Sequence, residues 1–97
     1  MFVYIIHSSS LDRFYIGETE DTDQRMHQHR TGYFKASFTR RAIDWTLVLV
    51  IPCADRTNAR SIEVFLKRQR NREFLRRFIT DEPYRNKLLN ERFGSSS

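Results

Sequence analysis

The sequence predicts a single α/β domain of α+β type, in which a small, mainly antiparallel three-stranded sheet is flanked by helices. Three observations point there. Two short β-branched and aromatic runs, "FVYIIH" and "RFYIG", are separated by the turn-forming "SSSLD". A nearly continuous apolar run, "WTLVLVIPC", stands in mid-chain. After it, apolar residues recur at helical spacing. With 97 residues, 39% apolar and 13% aromatic, the chain suits one domain with a modest core and argues against disorder. The expected organisation is a domain over 1–80, a helical extension packed on it over 81–93, and a frayed tail over 94–97.

The first strand is expected over residues 2–6 and the second over 13–17, paired as an antiparallel hairpin. Asp21 then has the position of a helix N-cap, with Gln24 at capping-box spacing. Glu20, Asp21 and Asp23 suit the positive end of that helix dipole. Gly32 supplies a stop, so the helix runs from about 22 to 31. Met26 is nearly its only apolar side chain, yet Thr22, Arg25 and His29 share one face at i, i+3, i+7 spacing. A helix with so little to bury has another reason to sit where it does.

"YFKASFTRR" follows as an aromatic and basic loop. The run from Trp45 is expected to be central in its sheet, because it is apolar on both alternating faces. Asp55 or Thr57 caps the next helix. Along it, Ile62, Phe65, Leu66 and Gln69 form one stripe, and Arg60, Glu63, Lys67 and Arg70 the neighbouring one. "RQRN" interrupts, and "REFLRRFI" forms a short amphipathic helix carrying Phe74, Leu75, Phe78 and Ile79. A last helix is expected from Pro83, which a first turn accepts, burying Tyr84, Leu88 and Leu89.

Composition narrows the function classes. Cys53 is the only cysteine, so there is no intrachain disulfide and no zinc set of CxxC type. It reads as a small buried hydrophobe of a protein in the reducing cytoplasm. The longest apolar run, "LVLVIPCA", is far short of the roughly 20 residues that span a bilayer. "MFVYII" lacks the basic leader and cleavage site of a signal peptide and reads as a strand. Net charge is +5, and its placement says more than its size. Residues 1–50 carry six basic and six acidic side chains, whereas Arg56 to Arg77 holds eight basic residues against two acids. That local excess fits a polyanion partner equally with a solvated helix surface.

The order strand, strand, helix, strand, helix, helix carries a tyrosine in each hairpin strand, an Arg/His pair on the first helix and a lone glutamate on the second. In this it resembles the GIY-YIG endonuclease family, and most closely its small stand-alone bacterial members. "VYI" at 3–5 stands where the family has its first triplet, and "YIG" at 15–17 matches the second. "RMHQH" supplies the family's arginine as Arg25 with His29 one turn on, and "SIEVFLK" supplies the metal-binding glutamate as Glu63. The resemblance covers residues 2 to about 79. It departs from the pattern in three places. Val3 replaces the first glycine. Leu75 stands where many relatives have an asparagine, with Asn71 nearby but off register. Glu18, directly after the second triplet, adds negative charge where a phosphate would lie.

The resemblance implies an endonuclease that hydrolyses nucleic-acid phosphodiesters, DNA ahead of RNA, with weak sequence specificity and one divalent cation, Mg or Mn, on Glu63. Tyr4, Tyr15, Arg25, His29 and Glu63 are the implied catalytic set. Arg25 offers phosphate a planar fork whose charge does not titrate. Tyr4 is a candidate base with His29 relaying the proton, and Tyr15 orients water and phosphate, although the two tyrosine roles are interchangeable at this level. Lys35, Arg40, Arg41, Arg60, Lys67 and Arg70 are candidate backbone contacts, with Phe34 or Phe38 available to stack on an unpaired base. Two other classes compete: a nucleic-acid-binding module of the same fold that no longer cuts, and a protein-interaction domain for acidic partners. Oligomeric state is left open.

Overall fold

The first strand, β1 (Phe2–Ser8), forms the middle of a three-stranded sheet. In the computed structural model, which describes residues 1–31 and 42–94, β2 (Arg13–Thr19) and β3 (Trp45–Pro52) pair with it on either side, both antiparallel. The expected hairpin and three-stranded antiparallel sheet are therefore present, with both hairpin strands longer than expected. Asp12 closes the turn in a left-handed conformation (φ 51°), which a short polar side chain tolerates. Asp44, just before β3, ties the hairpin end down by accepting from Ser8 Oγ at 2.6 Å and from the Ser10 amide at 2.8 Å.

The mid-chain apolar run is not the central strand. β3 lies at an edge, and the central position belongs to β1, where Val3, Tyr4, Ile5 and Ile6 are all at most 2% exposed. Continuous apolarity in β3 has a different cause: both of its faces are covered by helices. Ile51 joins the core on one face, while Trp45 and Leu47 pack on the other. Between Ile5↔Leu49 and Ile6↔Leu47 the pairing skips a residue. This bulge lets Val48 and Leu49, neighbours in sequence, pack against the same core.

Alternation along β1 divides the interior in two. Val3 and Ile5 face a core completed by Ile16, Ala59, Ile62, Leu66 and Phe78. Tyr4 and Ile6 face a smaller one with Met26 and Trp45. The larger core is covered by α2 (Arg56–Gln69), α3 (Arg72–Thr80) and α4 (Glu82–Phe93), and the smaller by α1 (Thr22–Arg30). Asp21 caps α1 by accepting from the Gln24 amide, and Asp55, rather than Thr57, caps α2 through the Asn58 amide. Arg70 ends α2 in a left-handed conformation (φ 47°), and Asn71 immediately caps α3, accepting from the amides of Glu73 and Phe74. Asp81 caps α4, so that helix begins at Glu82 with Pro83 inside its first turn, one residue earlier than expected.

α4 also differs from expectation in burial. None of its residues is fully buried; Leu88, Leu89 and Phe93 pack against the larger core from outside, and Tyr84 lies under the Arg77 guanidinium at 3.8 Å. Cys53 is only partly buried. The expected Gly32 stop, the loop with Phe34 and Phe38, and the tail beyond Gly94 lie outside the described residues.

Candidate active site

A cleft of about 460 Å³ opens along β2, the free edge opposite β3, where side chains of α1 and α2 converge from opposite faces of the sheet. Tyr4, Tyr15 and Arg25 form one wall; Glu63 and Lys67 of α2 form the other. The local fold explains the gathering. Tyr4 pairs across the hairpin with Gly17, and Tyr15 with Ile6, which puts both tyrosines on the α1 face with ring centroids 6.4 Å apart. Gly17 is needed there: a Cβ at that position would lie 2.5 Å from the Tyr4 hydroxyl oxygen and 2.7 Å from Cζ. The glycine of the second triplet thus makes room for the tyrosine of the first.

His29 lies beneath the rings. It is 1% exposed, its Nε2 is 2.8 Å from the Tyr4 hydroxyl, and its ring meets Tyr15 edge-on at 5.2 Å. This explains the odd helix. α1 buries Met26 and His29, three residues apart on one face, and the imidazole reaches the tyrosine hydroxyl from there. Burial pushes the His29 pKa down to about 4, with the Arg25 guanidinium adding to the effect, so the ring is neutral at physiological pH. Burial also raises the Tyr4 pKa well above its ordinary value; Tyr15 and Glu63 push the same way, and Arg25 opposes them. The pair is held as two neutral groups sharing a proton position.

The α2 wall carries the charge. Glu63, whose side chain is 16% exposed, is paired with Lys67 at 2.6 Å, and the Lys67 ammonium stands 5.8 Å from the Tyr15 ring centroid. Closer to the start of α2, one oxygen of Glu18 meets Arg56 at 3.3 Å and Arg60 at 3.4 Å. The other oxygen, Oε2, is buried and has no hydrogen-bond partner among the described residues. Arg56 also reaches Glu20 at 3.5 Å.

The donor set fits a hard divalent cation held lightly. No group of three or more His, Cys, Asp or Glu side chains gathers among the described residues, so an all-protein cage is not built there. Glu63 presents a carboxylate that already attracts one cation, the Lys67 ammonium, and it faces the cleft. A Mg-type ion needs little more from protein, since water and phosphate oxygens complete its shell.

Four of the five expected catalytic residues, Tyr4, Tyr15, Arg25 and Glu63, line this one cleft, and His29 supports it from below. Arg60 and Lys67 line it too. Arg70 does not; it stands past the end of α2 as the left-handed cap. Lys35, Arg40 and Arg41 lie outside the described residues. Asn71 is engaged in capping α3, and Leu75 packs on the larger core. Sequence reasoning missed Arg56 and the half-exposed Val64, which also line the cleft. Arg56 carried a signal, its i, i+4 spacing to Arg60 on the charged stripe of α2.

No curated protein and no solved structure matches the chain. A family model described as the GIY-YIG catalytic domain matches residues 1–77, a span that holds every cleft-lining residue and ends within α3. Domains of that description are nucleases and act on nucleic acid. The match covers more than three-quarters of the chain, and with it the tyrosine-lined cleft finds its place: this chain belongs to the GIY-YIG family.

Proposed function

We propose that the protein is an endonuclease that hydrolyses phosphodiester bonds, DNA ahead of RNA, with a divalent cation, Mg or Mn, on Glu63. The single observation that carries this reading is the convergence of Tyr4, Tyr15, Arg25 and Glu63 on one cleft with His29 hydrogen-bonded behind it. When bound, the cation would supply Lewis acidity to a phosphate oxygen and support for the departing alkoxide. Everything else falls to the chain's own side chains.

Arg25 holds two non-bridging phosphate oxygens with its fork and opposes the charge that builds as water adds. Tyr4 and His29 move the proton together. A free phenolate is disfavoured by burial, so Tyr4 takes a proton from the attacking water as its own passes to His29 Nε2. The phenol is restored in the same motion, and the imidazolium gives its proton up readily because its pKa is low. Tyr15, flanking the same space, orients water and phosphate. Lys67 and Arg60 approach the flanking backbone. The described lining of the cleft offers charged groups suited to phosphate rather than a helix or ribbon aimed at base edges, which supports weak specificity for base sequence.

The decisive assay incubates single- and double-stranded DNA with the protein and Mg or Mn, beside Glu63→Ala. Cleavage that requires both metal and Glu63 is the expected result. Its absence from every substrate refutes the enzyme reading. A second reading, a binding module without turnover, is favoured by one observation, the Lys67 ammonium on the Glu63 carboxylate. It predicts salt-sensitive DNA affinity that Glu63→Ala leaves unchanged.

A further inference from the structure

Glu18 is the acid of the cleft that the proposed chemistry leaves without a task. Its position is unusual for an acid. It sits beside Gly17 on β2, its side chain is only 12% exposed, and it shares the cleft with Glu63. One oxygen receives Arg56 Nη1 and Arg60 Nη2, which stand one helical turn apart on α2. The geometry, two guanidinium groups converging on one anionic oxygen, is the one a nucleic-acid phosphate takes.

We propose that Arg56 and Arg60 form a clamp for the backbone phosphate next to the scissile one, and that Glu18 is its built-in competitor, holding both arginines until a phosphate replaces it. The inference rests on reading the cleft as a phosphodiester site. Along α2, Lys67 lies on one side of Glu63 and Arg56 and Arg60 on the other, so basic groups flank the carboxylate in both directions. A strand laid across Glu63 therefore meets cations before and after the reacting phosphate. The exchange also sets the salt dependence. In the free protein the two arginines are partly neutralised, by Glu18 on both and by Glu20 on Arg56, so their transfer to phosphate releases fewer counterions than two unpaired arginines would. Glu18 thereby weakens binding by charge alone and places the burden of affinity on the rest of the cleft.

The test measures binding, not cleavage. A fluorescently labelled 12-nucleotide single-stranded DNA is titrated in EDTA, across salt concentrations, with wild type, Glu18→Gln, and Glu18→Gln carrying Arg56→Ala and Arg60→Ala. Glu18→Gln keeps the side chain's shape and removes its charge. It is expected to bind several-fold more tightly at low salt, with a salt slope steeper by about 0.7, the increment for one further charge on a single strand. The triple variant is expected to lose both gains. Unchanged or weaker binding by a folded Glu18→Gln overturns the clamp, because the arginines then serve only to tie α2 to β2. Should Glu18→Gln not fold, Glu18→Ser repeats the comparison with a smaller neutral residue. Wild type and variant that both ignore DNA overturn the nucleic-acid reading and the clamp with it. Binding without any later cleavage leaves the clamp standing and removes only the enzymatic claim.

Discussion

The two faces of the sheet are built to different rules. Under α2, α3 and α4, the core residues that are fully buried are all apolar: Val3, Ile5, Ile16, Ile51, Ala59, Ile62, Leu66 and Phe78. Under α1, burial includes Tyr4 and His29, joined by one hydrogen bond. The apolar residues buried beside them among the described residues are Ile6, Met26, Ala42 and Trp45, with Leu11, Tyr15 and Leu47 partly buried around them. Sealing polar groups inside costs stability unless each finds a partner, and a small apolar core offsets that cost poorly. The larger core makes the fold; the smaller one spends part of that stability on holding the candidate Tyr4–His29 pair in place. Variants on the two faces should therefore fail differently.

The largest stability effect is expected from the α2 face. Leu66→Ala removes a side chain that is 1% exposed and should lower unfolding free energy by about 2–5 kcal/mol. The rate per folded molecule should stay near wild type. Chemical denaturation paired with an activity titration checks both, and a lost rate with intact stability would reverse the comparison.

The α1 face should reveal itself through pH. His29 titrates at about 4 when folded and near 6.5 when unfolded, so the unfolded chain binds the proton first. This contribution to stability is complete above pH 6.5 and is lost as pH falls toward 4, up to on the order of 3 kcal/mol. Denaturation across that window should show the loss in wild type and a flatter profile in His29→Gln. The acid limb of kcat/KM should likewise fall near 4, not 6.5, because His29 must be neutral to accept a proton. Identical stability profiles for the two proteins would mean that the imidazole is not sealed as described.

Arg25→Ala should slow single-turnover cleavage by about 100-fold while affinity changes little, by analogy with removing one preorganised donor. Lysine at that position should not rescue, for want of the fork. Affinity lost without rate would move Arg25 from the reacting phosphate to its surroundings. The smallest effect is expected from Lys67→Ala, which should lower the salt slope of binding by less than one unit, because its ammonium is partly spent on Glu63. A full unit or more would mean that the ion pair is already open in solution.

Much of the candidate site was legible in the sequence because its residues sit at fixed positions along a family's motifs, and the fold gathers them in one place. Tyr4, Tyr15, Arg25, His29 and Glu63 could be named without coordinates, and so could the order of strands and helices. The misreadings have physical causes. A continuous apolar run reports that both faces are covered, which at β3 comes from helices on either side and not from flanking strands. α4 was expected to bury three side chains, yet an end helix laid on the outside of a core covers it without entering it. Arg56 escaped notice because the rotation of α2 against β2 decides which cations line the cleft, and periodicity leaves that angle undetermined. Gly17 was legible as a motif letter, but its reason, the approach of the Tyr4 hydroxyl, appears only once the register Tyr4↔Gly17 is known.

The central claim is that the β2-edge cleft performs hydrolysis while the opposite core only supports it. Single-turnover cleavage by Glu63→Gln, measured beside its unfolding free energy, tests that most directly. Glu63 faces an open cleft and its ion pair with the half-exposed Lys67 is worth about 1 kcal/mol or less, so stability should hardly change. The rate should fall by about 1,000-fold, the upper range for removing one group that acts on developing charge. A Glu63→Gln protein that is stable and still cuts at the wild-type rate would contradict the account.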